Sequence, residues 1–208
     1  MDIARRFFGP ISGIVFATAI FGAEAVVGGF DTEPSDSAST VLAEFREKSD
    51  EVQLAGFMTM LGAGLLLVFL GHLRTSFREG GAGWAADGFF AGGVAMVSAW
   101  IVLVGVQLAG GVAGDSGHPE VAQGAIDFMW EGSLLYSPGL LAVGATAAVV
   151  SLVHRVLPVW LGVFAVVVAL GALAPWVGVF VFVLWVLAAS IVELGRAFAD
   201  RRTTADLR

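Results

Sequence analysis

The chain has no cysteine, one lysine and one tyrosine among 208 residues, and only 14% of its residues are charged. Without cysteine there are no disulfides, thiolate metal sites or cysteine nucleophiles, and cysteine usage says nothing about the redox compartment. The shortage of charge excludes more. Soluble domains carry about 25% charged and roughly 45–50% apolar residues. Here the apolar set alone takes 57%, with 28 glycines besides, and mean hydropathy is +0.86. These values exclude a soluble globular domain, a disordered chain and a free nucleic-acid binder. They leave an all-α polytopic transmembrane bundle. At about 20 residues per span, 208 residues leave little for a domain outside the bilayer.

Runs of apolar residues mark six spans, at about 8–29, 52–73, 85–113, 128–153, 157–174 and 176–195. The fifth and sixth meet at Ala174-Pro175-Trp176, where proline breaks the helical ladder and turns the run into a tight hairpin. Arg5-Arg6 ahead of an apolar run and Ala23-Glu24-Ala25 at its end also fit a cleaved signal peptide. The run is long enough to span, so a retained first helix is the preferred reading.

Orientation follows from the basic residues. With a cytoplasmic N-terminus, Arg5, Arg6, Arg74, Arg78, Arg155, Arg196, Arg201, Arg202 and Arg208 fall inside, and only Arg46 and Lys48 fall outside. Nine against two is the positive-inside pattern. It places both termini, and the 196–208 tail, in the cytoplasm of a cell (inner) membrane protein. Trp84, Trp130, Trp160 and Trp176 sit at span ends, where indoles favour the headgroup region. Trp100 and Trp185 are mid-span and are expected to pack between helices.

The longest loop, 30–51, lies outside with seven acids against two bases, a net of −5. Val41, Leu42 and Phe45 have helical spacing, so a short amphipathic helix is one reading; a solvated acidic loop is preferred. Small residues four apart, Gly9/Gly13, Gly88/Gly92, Gly144/Ala148 and Ala165/Ala169, let helix backbones approach closely. They argue for a compact bundle. Candidate partners beyond the lipid bilayer are a second copy of the chain or another membrane protein. Nucleic acid is not among them.

Three stretches add a resemblance: Phe69-Leu70-Gly71-His72-Leu73-Arg74, Val156-Leu157-Pro158-Val159-Trp160-Leu161-Gly162, and Leu184-Trp185-Val186-Leu187-Ala188-Ala189-Ser190. With the acidic first outer loop, the chain resembles an uncharacterised family of small six-pass membrane proteins from GC-rich bacteria, a domain of unknown function. The resemblance implies topology and localisation; it implies no activity and no catalytic residues.

Ionisable and polar groups inside a span are costly and are therefore functional candidates. Asp87, at the cytoplasmic start of span three, suits a helix cap, and Glu193 is placed to pair with Arg196 at i+3. The outer half is richer. Glu24 ends span one, Gln107 lies in the outer part of span three, and Asp127 and Glu131 share one face at i, i+4. Ser133 and Tyr136 follow one or two turns deeper. Pro138 should then kink the helix and free the Leu134 carbonyl. Glu24, Gln107, Asp127, Glu131 and Tyr136 form the candidate ligand or proton site, although Asp127 and Glu131 also suit a plain interfacial position. Asp115, His118 and Glu120 are weak candidates for a loose metal site. No P-loop, G-x-S-x-G or H-E-x-x-H pattern occurs, and no catalytic residue or cofactor is assigned. The leading expectation is a non-enzymatic accessory, sensory or assembly protein. The alternatives are a small proton- or cation-coupled transporter and, third, a lipid-active enzyme.

Overall fold

The structure is a computed structural model that describes residues 3–206, with side chains over 7–199. The side chains of Arg5, Arg6, Arg201, Arg202 and Arg208, counted above for orientation, lie outside the described residues. The elements are α1 (Ile3–Val27), α2 (Ala38–Glu47), α3 (Ser49–Glu79), α4 (Gly83–Ser116), α5 (Pro119–Gly132), a 3₁₀ turn (Ser133–Tyr136), α6 (Ser137–Leu152), α7 (Val159–Gly171) and α8 (Pro175–Asp206). No strand occurs among the described residues.

Five helical stretches are long and apolar enough to cross a membrane: Phe7–Val27, Ser49–Glu79, Gly83–Ser116, Pro119–Leu152 and Pro175–Ala199. The fifth expected span is shorter than its apolar run. Its helix covers only the 13 residues of α7, and residues 172–174 turn before α8 begins. Several helices also outrun their apolar runs, α3 starting at Ser49 and ending at Glu79. Hydropathy marks the length that hydrocarbon requires, whereas the helix continues until a turn residue stops it. Gly81, at φ +83°, supplies the left-handed conformation between α3 and α4 that a side chain disfavours.

The helices close a ring: α1 packs on α3 and α8, α3 on α4, α4 on α6, α6 on α7, and α7 on α8. Small residues set the closest approaches. A Cβ on Gly144 of α6 would lie 2.8 Å from the Ala165 carbonyl oxygen and the Ala169 Cα, and closer still to the Ala169 nitrogen. Two of the small-residue pairs noted in the sequence thus face each other within one chain. At the end of the ring opposite α2 the interior is filled. Leu66, Phe69, Leu70, Leu73, Phe77, Phe89 and Trp185 are all buried, and the Trp185 indole donates to the Leu161 carbonyl at 3.0 Å. Outside the ring, Phe8, Phe57, Leu61, Leu141, Val163 and Leu173 stand exposed. Apolar surface of this extent on long helices is what a lipid-facing bundle carries.

Two local expectations change. The 30–51 segment is not simply a solvated loop. It folds back through α2, whose Val41 and Phe45 are fully buried against Ala113 of α4 and Ala122, Ala125 and Ile126 of α5. Gly110 and Gly114 make the groove that receives it, because a Cβ at Gly114 would meet the α2 backbone at Arg46 N, 2.6 Å away. Asp87 does not cap α4, which begins four residues earlier. It bridges the α3–α4 turn instead, with Arg74 Nη2 at 2.7 Å and Arg78 Nη2 at 3.0 Å. The expected Glu193–Arg196 pair forms, at 2.9 Å.

Candidate functional site

At the α2 end the ring is not filled. A cavity of about 380 Å³ lies between α1, the start of α3, α4, α5 and the first turns of α8. The short α7 takes no part in it: with 13 residues at about 1.5 Å each, α7 spans roughly 20 Å, and none of its residues is in the lining. The first residues of α8 form part of the cavity wall instead.

Three of the five candidate residues meet here. Glu24 enters from the last turn of α1, Gln107 from α4, and Tyr136 from the 3₁₀ turn between α5 and α6. None of these three side chains makes a hydrogen bond or ion pair to a described residue. Tyr136 is only 2% exposed and borders the cavity. The 3₁₀ turn explains how it gets there. Four residues at about 120° each instead of about 100° advance the helix phase by roughly 80°. Ser133 and Tyr136 turn inward, while Leu134 and Leu135 face out. The expected kink at Pro138 takes this form, and the Leu134 carbonyl is not freed, because the Ser137 N–H donates to it.

Asp127 and Glu131 are not brought to the cavity. Both are exposed on the outer face of α5. Asp127 accepts from the Gln123 amide at 3.1 Å, and that amide also donates to the Pro34 carbonyl at 3.0 Å. The face of α5 that does line the cavity carries Ile126, Met129 and Trp130. The weak metal candidates also stay apart. His118 lies 3.7 Å from Glu120, whereas Asp115 accepts from the Ser49 hydroxyl at 2.8 Å. Among the described residues no group of three or more His, Asp or Glu side chains could hold a metal ion.

Apart from the Thr59 hydroxyl of α3, the rest of the wall is aromatic and apolar: Phe30, Trp100, Trp130, Trp176 and Phe180 surround the polar groups, and no Lys, Arg or His is among the lining residues. Sequence reasoning noted Trp130 and Trp176 as interfacial anchors and Trp100 as a packing residue, and missed that all three look into one space. Deeper in the ring Phe16 closes the way, edge-on to Trp100 at 5.8 Å and tilted on Phe182 at 6.3 Å.

A polar hub steadies the mouth. Glu44 of α2 accepts from the Asp31 and Thr32 backbone N–H groups at 2.7 and 2.9 Å and from the Thr32 hydroxyl. Lys48 pairs with it at 2.9 Å while donating to the Gly29 carbonyl and lying 5.5 Å from the Phe30 ring centre. Burial works to raise the Glu44 carboxyl. The hydrogen bonds from Thr32, Asp31 and Lys48 outweigh it and bring the pKa from 4.5 down to about 2.

No family model matches the chain, and no curated protein or solved structure matches it either.

Proposed function

We propose that the chain is a multi-pass protein of a bacterial inner membrane, with six crossings and both termini cytoplasmic. In this reading it acts as a non-enzymatic binding or sensory protein whose outer-side cavity receives a small molecule. The carrying observation is the convergence of the Glu24 carboxylate, the Gln107 amide and the Tyr136 hydroxyl, all without protein partners, on one aromatic-walled space. Concave, mostly apolar sites with a few convergent polar groups are where small molecules bind. Thr59 is the one aliphatic hydroxyl in the lining and no histidine stands there to activate it, which favours binding over catalysis.

The orientation rests on charge. Arg74, Arg78, Arg155 and Arg196 gather at the end opposite α2, where lysine and arginine mark the cytoplasmic side. Arg46 and Lys48, at the α2 end, are engaged by the Gly114 carbonyl and by Glu44. The sixth crossing rests on α7, whose length of roughly 20 Å is about two thirds of the ~30 Å hydrocarbon layer. The α7–α8 turn would then sit inside the outer leaflet, and Leu173, 85% exposed at its tip, suits lipid better than water.

Transport is the competing reading, since an ionisable group in a membrane cavity is how coupled carriers begin. It requires access from both sides, whereas the packed column of Phe16, Phe89 and Trp185 favours access from one. Because the chain has no cysteine, single cysteines test this directly. Gln107→Cys should react with a small hydrophilic thiol reagent added from outside and resist a bulky impermeant one. Glu79→Cys, at the α3–α4 turn, should react only in inverted vesicles. Labelling of Gln107→Cys from the cytoplasmic side would overturn one-sided binding and put transport first.

A further inference from the structure

We propose that the cavity selects a monovalent organic cation with an apolar body, an ammonium-type molecule, held by Glu24 within the ring of aromatic side chains. The inference rests on the binding reading above and adds the chemical class of the ligand. Glu24 is the only ionisable carboxylate in the lining, and no basic side chain there offsets it. A partner-free carboxylate in a low-dielectric setting is stabilised by a counter-charge. Trp100, Trp130, Tyr136 and Trp176 line the same cavity, and aromatic faces attract cations and recognise quaternary ammonium groups in particular.

A divalent inorganic ion fits the same walls poorly. Calcium takes six to eight oxygen ligands, and magnesium demands near-ideal octahedral geometry; the side chains offer one carboxylate, one amide, one phenol and the Thr59 hydroxyl among apolar neighbours, which supply neither. The volume of about 380 Å³ lies at the small end of ligand pockets, enough for an ammonium group and one ring. The approach is also biased. The 30–51 segment, net −5, borders the mouth through Phe30, and a negative field there raises the local concentration of cations.

The test uses the full chain in lipid nanodiscs and an isosteric pair of probes, phenyltrimethylammonium and neutral tert-butylbenzene. Binding is read from tryptophan fluorescence, to which Trp100, Trp130 and Trp176 report directly. The parent should bind the cation at least ~10-fold more tightly than the neutral isostere, the factor that about 1.4 kcal/mol of charge recognition gives. Glu24→Gln should lose that preference and keep the neutral probe unchanged, and Glu24→Asp should restore part of it. Retained binding of the neutral probe shows that Glu24→Gln has kept its cavity. Equal binding of both probes by parent and Glu24→Gln would overturn the cation assignment and leave the binding reading standing, with a neutral amphiphile as ligand. Binding of neither probe, together with failure of Gln107→Cys to label from outside, would overturn both.

Discussion

Replacing Phe45 by alanine should detach α2 without unfolding the bundle. With ten residues, α2 falls below the ~12–15 at which isolated helices become even marginal in water, so its helicity depends on docking. Phe45 is 0% exposed, and its ring lies tilted against Phe30 at a centroid distance of 4.8 Å and over Gly110. Truncating a buried phenylalanine costs about 3–5 kcal/mol. The Ser37 cap, whose hydroxyl accepts from the Thr40 N–H at 3.3 Å, holds back only about 1 kcal/mol. The lower bound of ~3 kcal/mol corresponds to about two decades in the opening equilibrium, at 1.4 kcal/mol per decade. Amide hydrogen exchange in nanodiscs should therefore accelerate by roughly 100-fold across 38–47 and stay within a few-fold of the parent in α3 and α4. Ile126, Met129 and Phe30 are shared between the α2 contact and the cavity wall, so probe binding should weaken alongside. An unchanged rate across 38–47 would refute the docking argument; equal acceleration throughout the bundle would show that α2 is no separate unit.

The same segment should respond to acid. Glu44 has its pKa depressed from 4.5 to about 2 in the folded state, so its contribution is complete above pH 4.5 and is lost as pH falls through that window towards 2. Exchange across 38–47 should rise, beyond the intrinsic pH dependence, between pH 5 and 3, and Glu44→Gln should flatten that rise. Within the bundle, two glycine-to-alanine changes should part company. Gly144→Ala drives a Cβ into the α7 backbone, which cannot yield as a side chain would, and should cost about 1–3 kcal/mol in thermal or denaturant unfolding. Gly64→Ala meets nothing within 4 Å and should gain roughly 0.5–1 kcal/mol from the stiffer helix; equal effects at the two sites would contradict the α6–α7 contact.

The apolar runs made most of the long helices legible, because a run of that length must satisfy its backbone within a helix. Trp84, Trp130, Trp160 and Trp176 are half or more exposed, while Trp185 is buried; Trp100, expected to pack as Trp185 does, borders the cavity as well. Glu24, Gln107 and Tyr136 were legible as candidates for a similar reason: polar groups near one depth of three separate spans have few places to go. The Asp127/Glu131 pair shows the limit. Spacing at i, i+4 establishes that they share a face but not which way it points, and Ile126, Met129 and Trp130 win the inward side. The docking of α2 was half visible in Val41 and Phe45. Its receptor, Gly110 and Gly114 at four-residue spacing on α4, was written in the sequence as plainly as the other small-residue pairs. It becomes meaningful only once α2 is known to lie across it. The shortness of α7 could not be read, since its apolar run continues past the last helical residue to Pro175.

In the proposed binding role, that short helix determines where a ligand would sit. At the filled end all six ring members run side by side, and large side chains meet at the centre. At the α2 end α7 lines none of the cavity; the two strands of chain of the α7–α8 hairpin are held together at Gly171 and Gly178, and neither glycine can reach into the gap. The space of about 380 Å³ is open at its mouth, and water in it finds hydrogen-bond partners in Glu24, Thr59, Gln107 and Tyr136. They also make the water displaceable: a ligand that offers a positive group to Glu24 and an apolar one to the aromatic wall replaces both functions of the solvent. The proposed binding role accounts for the polar groups of Glu24, Gln107, Tyr136 and Thr59 together, whereas a purely structural role would favour apolar side chains large enough to close the gap.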